Sequence, residues 1–254
     1  MSVAAPAVSV VIVTRDRPRL LADALATVAS QVAAPLEVCL GDDGRTPLAD
    51  TPRAGDLPVR IVRCGGGHAG IARNRAARLA RGRWLAFLDD DDRWTREHLA
   101  GLSAALAGGA GLAYRDVVVV RERLDAEGAR HELARRAIAR DWDPETMRTD
   151  DYVPPSSFAI TRALFERLGG FDETMRFSED WDLLLRAARL ATPVRVPGVT
   201  VEIRMRDDGH LSLERSAERR ACLDTLSERH GLPALEIRTF WEVAGLLGSG
   251  SRPA

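Results

Sequence analysis

Lysine is absent from this chain: every one of its 36 basic residues is arginine. No mechanism that needs a lysine nucleophile or a Schiff base is open to it. The bias reads as the codon usage of a GC-rich genome. Cysteine is scarce, and Cys39, Cys64 and Cys222 lack the spacing of a metal cage. Two of the three fall in predicted strands, which implies buried, reduced thiols in place of a disulfide framework. No apolar run approaches the roughly 18 residues of a membrane span, and no charged region precedes the short N-terminal apolar stretch. A net charge of -1 provides no electrostatic footprint for nucleic acid or an anionic membrane. Internal repeats and long linkers are missing as well. These absences leave a soluble, cytoplasmic globular protein, and 254 residues at 45% apolar content can bury a sizeable core.

What is present is organised around Trp84-Leu85-Ala86-Phe87-Leu88-Asp89-Asp90-Asp91-Asp92-Arg93-Trp94. The apolar run Trp84 to Leu88 fits a fully buried strand, and four aspartates follow it directly. Two carboxylates 4 Å apart repel by about 4 kcal/mol at an effective dielectric of 20, so the cluster must splay, bind protons or hold a cation. A divalent cation resolves it most simply. On an extended strand end Asp89 and Asp91 share one face and Asp90 points away. Hard oxygen ligands at an open site suit Mg2+ or Mn2+, which keep coordination positions for substrate phosphates. The same acids could instead form a solvated turn that caps a helix near Thr95.

Strands and helices alternate before this stretch. Val8 to Val13 is a β-branched strand, Pro18 opens a helix carrying Leu21, Leu25, Val28 and Val32, and Leu36 to Leu40 is a second strand. Asp42-Asp43-Gly44 then sits at the carboxyl edge of the sheet, where open α/β sheets bind ligands. A carboxylate there can accept a hydrogen bond from a nucleobase or ribose, although Asp-Asp-Gly is also a common turn. Val59 to Val62 is a third strand. Gly65-Gly66-Gly67-His68-Ala69-Gly70 follows and opens a helix from Ile71 to about Arg81. The spacing matches a dinucleotide fingerprint, but that fingerprint belongs to the first strand–helix turn, and this one comes after two earlier units. Its physical content still stands: glycines permit close approach, and the helix N-terminus with Arg73 favours a diphosphate. Arg73-Asn74 could otherwise be an ordinary polar helix face.

Downstream, Leu99, Leu102 and Leu106 mark a helix and Tyr114 to Val120 a strand. Residues 121–143 read as a hairpin or a surface helix. Tyr152 to Ile160 runs as an extended loop into a strand. Arg162 to Leu168 is a short helix stopped by Gly169-Gly170. Ser178 caps a helix whose first turn holds Glu179, Asp180 and Asp182, acids that suit a helix dipole as well as catalysis. Val194 to Met205 is β-rich, Arg215 to Arg229 and Leu235 to Leu247 are helical, and residues 248–254 form a disordered tail.

In order, Thr14-Arg15-Asp16-Arg17, Asp42-Asp43-Gly44, Gly70-Ile71-Ala72-Arg73-Asn74, Phe87 to Asp92, Gly169-Gly170-Phe171-Asp172-Glu173 and Glu179-Asp180 resemble the family-2 glycosyltransferases of the GT-A fold. The likeness spans about residues 8–212. It implies one α/β domain with a Rossmann-like, mostly parallel sheet flanked by helices. The nucleotide-binding half would cover about 8–107 and the acceptor-binding half about 108–212, with C-terminal helices over 213–247. It also implies an inverting transfer from a nucleoside-diphosphate sugar to an acceptor hydroxyl. Carried over by position, Thr14, Arg17, Asp42 or Asp43, Gly70, Arg73, Asp89 and Asp90 serve the nucleotide, and Asp91 with Asp89 holds Mn2+ or Mg2+. His210, two residues before Ser212, resembles a further metal or diphosphate element of the family. Asp180, or Glu179 beside it, would be the general base. Ser156, Ser157 and Trp181 would meet the acceptor, whose identity the sequence leaves open. Departures occur at His68-Ala69-Gly70, where the family commonly has Asn-x-Gly, and at Asp43-Gly44-Arg45, where it has Asp-Gly-Ser. Two readings from other classes are a metal-dependent nucleotidyltransferase, for which no basic Gly-rich loop near the first strand is present, and a catalytically silent nucleotide-sugar binder.

Overall fold

A computed structural model describes residues 7–125, 129–206 and 213–248. The expected elements at His210 and Ser212, and most of the expected tail, lie outside the described residues. The first half of the chain is a parallel β-α unit. Strands β1 (Val8–Thr14), β2 (Glu37–Asp42), β3 (Val59–Arg63) and β4 (Trp84–Asp89) lie in the order β3-β2-β1-β4, all parallel. Every residue of β2 is buried, its polar ends Glu37 and Asp42 included, as expected of a strand covered on both faces. Helices α1 (Pro18–Ala29) and α2 (Ala69–Ala77) connect these strands. Pro18 sits in the first turn of α1, where its missing N–H costs nothing, and Leu21, Leu25 and Val28 form the buried stripe.

Beyond β4 the sheet continues as β8 (Phe158–Thr161), β6 (Leu112–Leu124), β9 (Val194–Arg206) and β5 (Arg93–Trp94). β8 is antiparallel to both β4 and β6, while β6 and β9 run parallel. The weakly patterned segment after Val120 is a hairpin: β6 extends to Leu124 and pairs with β7 (Arg130–Ile138). Helices α3 (His98–Ala107) and α4 (Arg162–Arg167) flank the sheet. α5 (Glu179–Ala188), α6 (Ala217–His230) and α7 (Phe240–Leu247) follow, and α7 begins with a Thr239/Glu242 capping box.

One connection sets the shape of the site. β5 starts at Arg93, only residues 90–92 after the end of β4, yet three strands separate the two in the sheet order. Three residues reach at most about 11 Å, so the sheet must curl until the end of β9 meets the end of β4. The aspartates lie inside that curl. Phe87 on β4 anchors it from below, with the Phe158, Phe165 and Phe171 rings at 5.4, 5.7 and 5.2 Å.

Candidate active site

The aspartate run does not continue as an extended strand. The Asp92 N–H donates to the Asp89 carbonyl at 3.1 Å, which closes a tight turn directly after β4. Strand alternation therefore fails here, and Asp90 does not point away: Asp89, Asp90 and Asp91 all line one cleft. Asp92 turns to the opposite side. There it accepts from Ser156 Oγ at 2.6 Å and from the Arg204 N–H at 3.0 Å, a contact that the curled β9 supplies.

Arginines meet most of the charge in this turn. Arg73, from α2, donates to Asp89 at 2.6 Å and to Glu179 at 2.7 Å. Arg17 reaches Asp91 at 3.0 Å, and Arg206, at the end of β9, reaches the same Oδ2 at 2.9 Å. Asp90 accepts from Thr14 Oγ1 at 2.7 Å. Burial, and then the Asp91 charge, push the Asp90 carboxyl up to about 7. Burial and the same neighbour raise Asp92 well above the carboxylate range. The cluster thus draws on the remedies open to crowded acids: splaying, a raised affinity for protons and neighbouring cations. Its donors are hard oxygens on the wall of a cleft, which fits Mg2+ or Mn2+. Among the described residues no three Asp, Glu, His or Cys side chains are grouped to hold a metal unaided, so a cation here would draw its other ligands from phosphate oxygens and water.

The same cleft is lined by Thr14, Arg15, Arg17, Asp43, His68, Arg73 and Arg176. Of the acidic pair at the end of β2, Asp43 lines it and Asp42 does not. Asp42 is 2% exposed and fixes its own loop, accepting from the Gly44 and Leu48 N–H groups and pairing with Arg63 at 2.8 Å. One Asp43 oxygen accepts from the Gly66 and Gly67 N–H groups, both at 2.9 Å. The glycine run therefore cradles an acid of its own chain. Gly70 has a steric reason: a Cβ there would lie 3.1 Å from Glu179 Cγ. Arg73 and Asn74 are not a solvated helix face, since each is 5% exposed. Asn74 exchanges hydrogen bonds with both backbone groups of Phe171 at 2.8 and 2.9 Å, and so holds the Gly169–Glu173 loop against α2.

A second cleft lies on the other side of Arg73. It shares Ala69, Arg73 and Asp89 with the first and is walled by Asp151, Pro155, Phe177, Glu179, Asp180 and Trp181. Ser178, before α5, has φ +60° and makes no side-chain cap, contrary to its expected role. The turn that it makes presents the first residues of α5 to the cleft. Glu179 is tied to Arg73, whereas among the described residues Asp180 forms no ion pair, and its Oδ1 accepts from the adjacent Trp181 N–H. Burial and the Asp180 charge outweigh Arg73 and push Glu179 up to about 8; burial raises Asp180 as well. Trp181 lines this cleft with its indole N–H fixed on the Met147 carbonyl.

Ser156 and Ser157, expected at the acceptor, line neither cleft. Both are fully buried in a 3-10 turn beneath β4. Ser156 Oγ links Asp92 to the Asp89 N–H, and Ser157 donates to the Pro154 carbonyl. Other residues of the second cleft carry no signal in the sequence. Asp150 and Asp151 line the second cleft but pass for loop acids before Tyr152. Arg219 of α6, Phe240 of α7 and Arg238 between them reach it from the C-terminal segment, which carries no motif.

Comparison with known proteins bears on this arrangement. The family model "Glycosyl transferase family 2" matches residues 9–168, from β1 through α4. An uncharacterized glycosyltransferase of Bacillus subtilis, YwdF, is 30% identical over 237 residues, 92% of this chain and 87% of the relative. The O-antigen biosynthesis protein RfbC of Myxococcus xanthus is 28% identical over 74% of this chain, which spans only 15% of that protein. Among solved structures, S. aureus TarS 1-349 in complex with UDP-GlcNAc superposes with TM-score 0.65 at 17% identity, over 87% of this chain and 65% of that one. The mannosyltransferase PcManGT of Pyrobaculum calidifontis, in complex with GDP-Man and Mn2+, gives 0.64 at 20% identity, over 90% and 66%. Both show the likeness of a GT-A-type fold, and the chain spans just under two thirds of each. A family match over more than half of the chain, joined by a relative alike along nearly its whole length, makes this protein a member of glycosyl transferase family 2.

Proposed function

We propose that this glycosyltransferase moves a sugar from a nucleoside-diphosphate sugar to an acceptor hydroxyl with inversion, aided by a divalent cation and with Asp180 as general base. One observation carries the reading. Two clefts meet at Arg73 and Asp89: the one rimmed by arginines suits a nucleoside diphosphate, and the other holds a carboxylate, Asp180, that forms no ion pair among the described residues. TarS and PcManGT, whose fold this chain shares, have been captured with UDP-GlcNAc and with GDP-Man.

Asp43 offers its carboxylate to the base or ribose. Thr14 and Asp90 form the floor under the nucleotide, and Arg17 and Arg73 face the diphosphate. Asp91, with Asp89, is where Mg2+ or Mn2+ would be held; there it supplies positive charge against the leaving diphosphate. His210, outside the described residues, is a candidate third ligand. Asp180 accepts the proton of the attacking hydroxyl, a contribution of about 10² to 10⁴ in rate. Glu179 is the weaker candidate for base because its oxygen is already engaged by Arg73. Attack from the second cleft on a donor in the first, across Arg73, is a single displacement and inverts the anomeric centre.

The test is transfer with UDP-GlcNAc and GDP-Man as donors, read as nucleoside diphosphate release and product anomer. Asp180→Asn should abolish transfer and leave nucleotide binding intact. Full activity in that variant, a retained anomer, or release of pyrophosphate would overturn the mechanism.

A further inference from the structure

We propose that Arg206 guards the cation site: it is the buried positive charge that keeps a bare divalent cation off Asp91, and it makes cation binding depend on the nucleoside diphosphate. This rests on the reading of the first cleft as the donor site with Asp91 as a cation ligand. Arg206 ends β9, where it is the register partner of Glu122 on the parallel strand β6. The curl of the sheet brings its Nη2 to 2.9 Å from Asp91 Oδ2, and its side chain is 6% exposed.

A carboxylate oxygen has two lone pairs, and two guanidinium groups donate to Asp91 Oδ2: Arg206 and, at 3.0 Å, Arg17. The two are not equivalent. The Arg17 side chain is 36% exposed and also reaches Asp90 at 3.4 Å, so it can yield the oxygen to a cation and turn to its other partner or to water. Arg206 has no such exit. Its second carboxylate contact, Glu122, is 3.9 Å away and fully buried, and already accepts from Arg130 at 3.0 Å and Arg204 at 2.6 Å. Arg130 has a further carboxylate in Asp23 at 3.5 Å and Arg204 one in Glu202, whereas Arg206 leans on Asp91. A divalent cation that takes Asp91 therefore enters beside a buried like charge that stays, and by itself it binds weakly. A nucleoside diphosphate reverses the balance, because its phosphate oxygens offset both positive groups and accept from guanidinium N–H donors. A second observation points the same way: Arg206 Nη1 is buried and has no hydrogen-bond partner among the described residues, a costly state that an anionic ligand relieves. Nucleotide and cation thus raise each other's affinity by one common factor.

The experiment titrates the full chain with Mn2+ alone, with UDP or GDP alone, and with both, following free Mn2+ by its EPR signal and the nucleotide by calorimetry. In the wild type, saturating nucleotide should tighten Mn2+ binding at least about tenfold. Arg206→Gln should bind Mn2+ alone about tenfold more tightly and the nucleotide alone about tenfold more weakly, so that the factor linking them falls. Arg206→Lys keeps the charge and should stay within about threefold of the wild type in every titration; with the wild-type coupling it tests the proposal even where the glutamine variant folds poorly. If Arg206 only positioned Asp91, the glutamine variant would bind Mn2+ alone more weakly. That result, an unchanged Mn2+ affinity, a lysine variant that behaves like the glutamine one, or no coupling in the wild type would each overturn the proposal while nucleotide binding keeps the donor-site reading intact. A wild type that binds neither UDP nor GDP, with or without Mn2+, would overturn the two together.

Discussion

Arg73→Met removes the one guanidinium that, among the described residues, lines both clefts. Its side chain is 6% exposed, Glu179's 7% and Asp89's 28%. A charge-assisted hydrogen bond contributes about 1.5–3 kcal/mol, and the Asp89 contact is discounted toward the lower end for its partial exposure. The sum, about 3–5 kcal/mol, agrees with the usual cost of stripping one partner from a buried ion pair. The cost should depend on pH. Glu179 has its pKa raised from 4.5 to about 8, so it adds stability that is full below 4.5 and is lost as pH rises through 8. Below that range it carries its own proton and needs no cation; above it, it relies on Arg73. Urea unfolding of the metal-free protein at pH 6 and pH 9, with m unchanged, should give a larger penalty at pH 9. Adding Glu179→Gln to Arg73→Met should recover part of the loss at pH 9 and little at pH 6. A penalty below about 1 kcal/mol, or one equal at both pH values, would refute the view of Arg73 as the counter-ion of the site.

Asp91→Asn should abolish the Mn2+-dependent part of the thermal stabilisation produced by UDP or GDP. Wild-type protein at a hundred times Kd should gain about 2.7 kcal/mol. Because the variant also loses its partnership with Arg17 and Arg206, the readout is the melting shift with and without Mn2+ in the same protein. An undiminished metal-dependent shift would remove Asp91 from the cation site. Ser156→Ala should cost about 2–4 kcal/mol in urea unfolding, since it takes the donor from one Asp92 oxygen and the acceptor from the Asp89 N–H. A loss under about 0.5 kcal/mol would mean that water replaces the hydroxyl.

The parallel half of the sheet was legible because its signals are local. Val8 to Val13 and Trp84 to Leu88 are short apolar runs that only a doubly covered strand explains, and Pro18 marks a helix start by its missing N–H. The aspartates after β4 were legible as a cluster but not in their geometry. Alternation along a strand presumes that the strand continues, and the Asp89–Asp92 turn ends it. Ser156 and Ser157 misled for a related reason: hydroxyls in a Pro-Pro-Ser-Ser loop read as surface chemistry, and nothing local announces that β4 and β9 close over them. Arg206, Asp151 and Arg238 carry no motif. They join the site only through the curl of the sheet and the return of the C-terminal helices, contacts that span tens of residues in sequence.

Those helices are tied to the chemistry more closely than their lack of motif suggests. Asp182, fully buried one turn from the cleft end of α5, pairs with Arg186 on its own helix at 2.7 Å and with Arg229 and His230 of α6, both at 2.9 Å. Arg229 also reaches Asp172 at 2.7 Å, in the loop that Asn74 holds against α2. These contacts and burial act in opposite directions on Asp182, and the contacts prevail, so that its carboxyl is held down to about 2 and stays charged. α6 is thus bound by an ion-pair network to the helix that carries Asp180, and the same C-terminal segment sends Arg219, Arg238 and Phe240 into the second cleft. The family match ends at Leu168, short of α5 and α6. On the reading above, the part of the chain shared with the whole family holds the donor. The part beyond it sets the base and the acceptor wall on one rigid support, so a change in acceptor can be accommodated there without disturbing the aspartate turn.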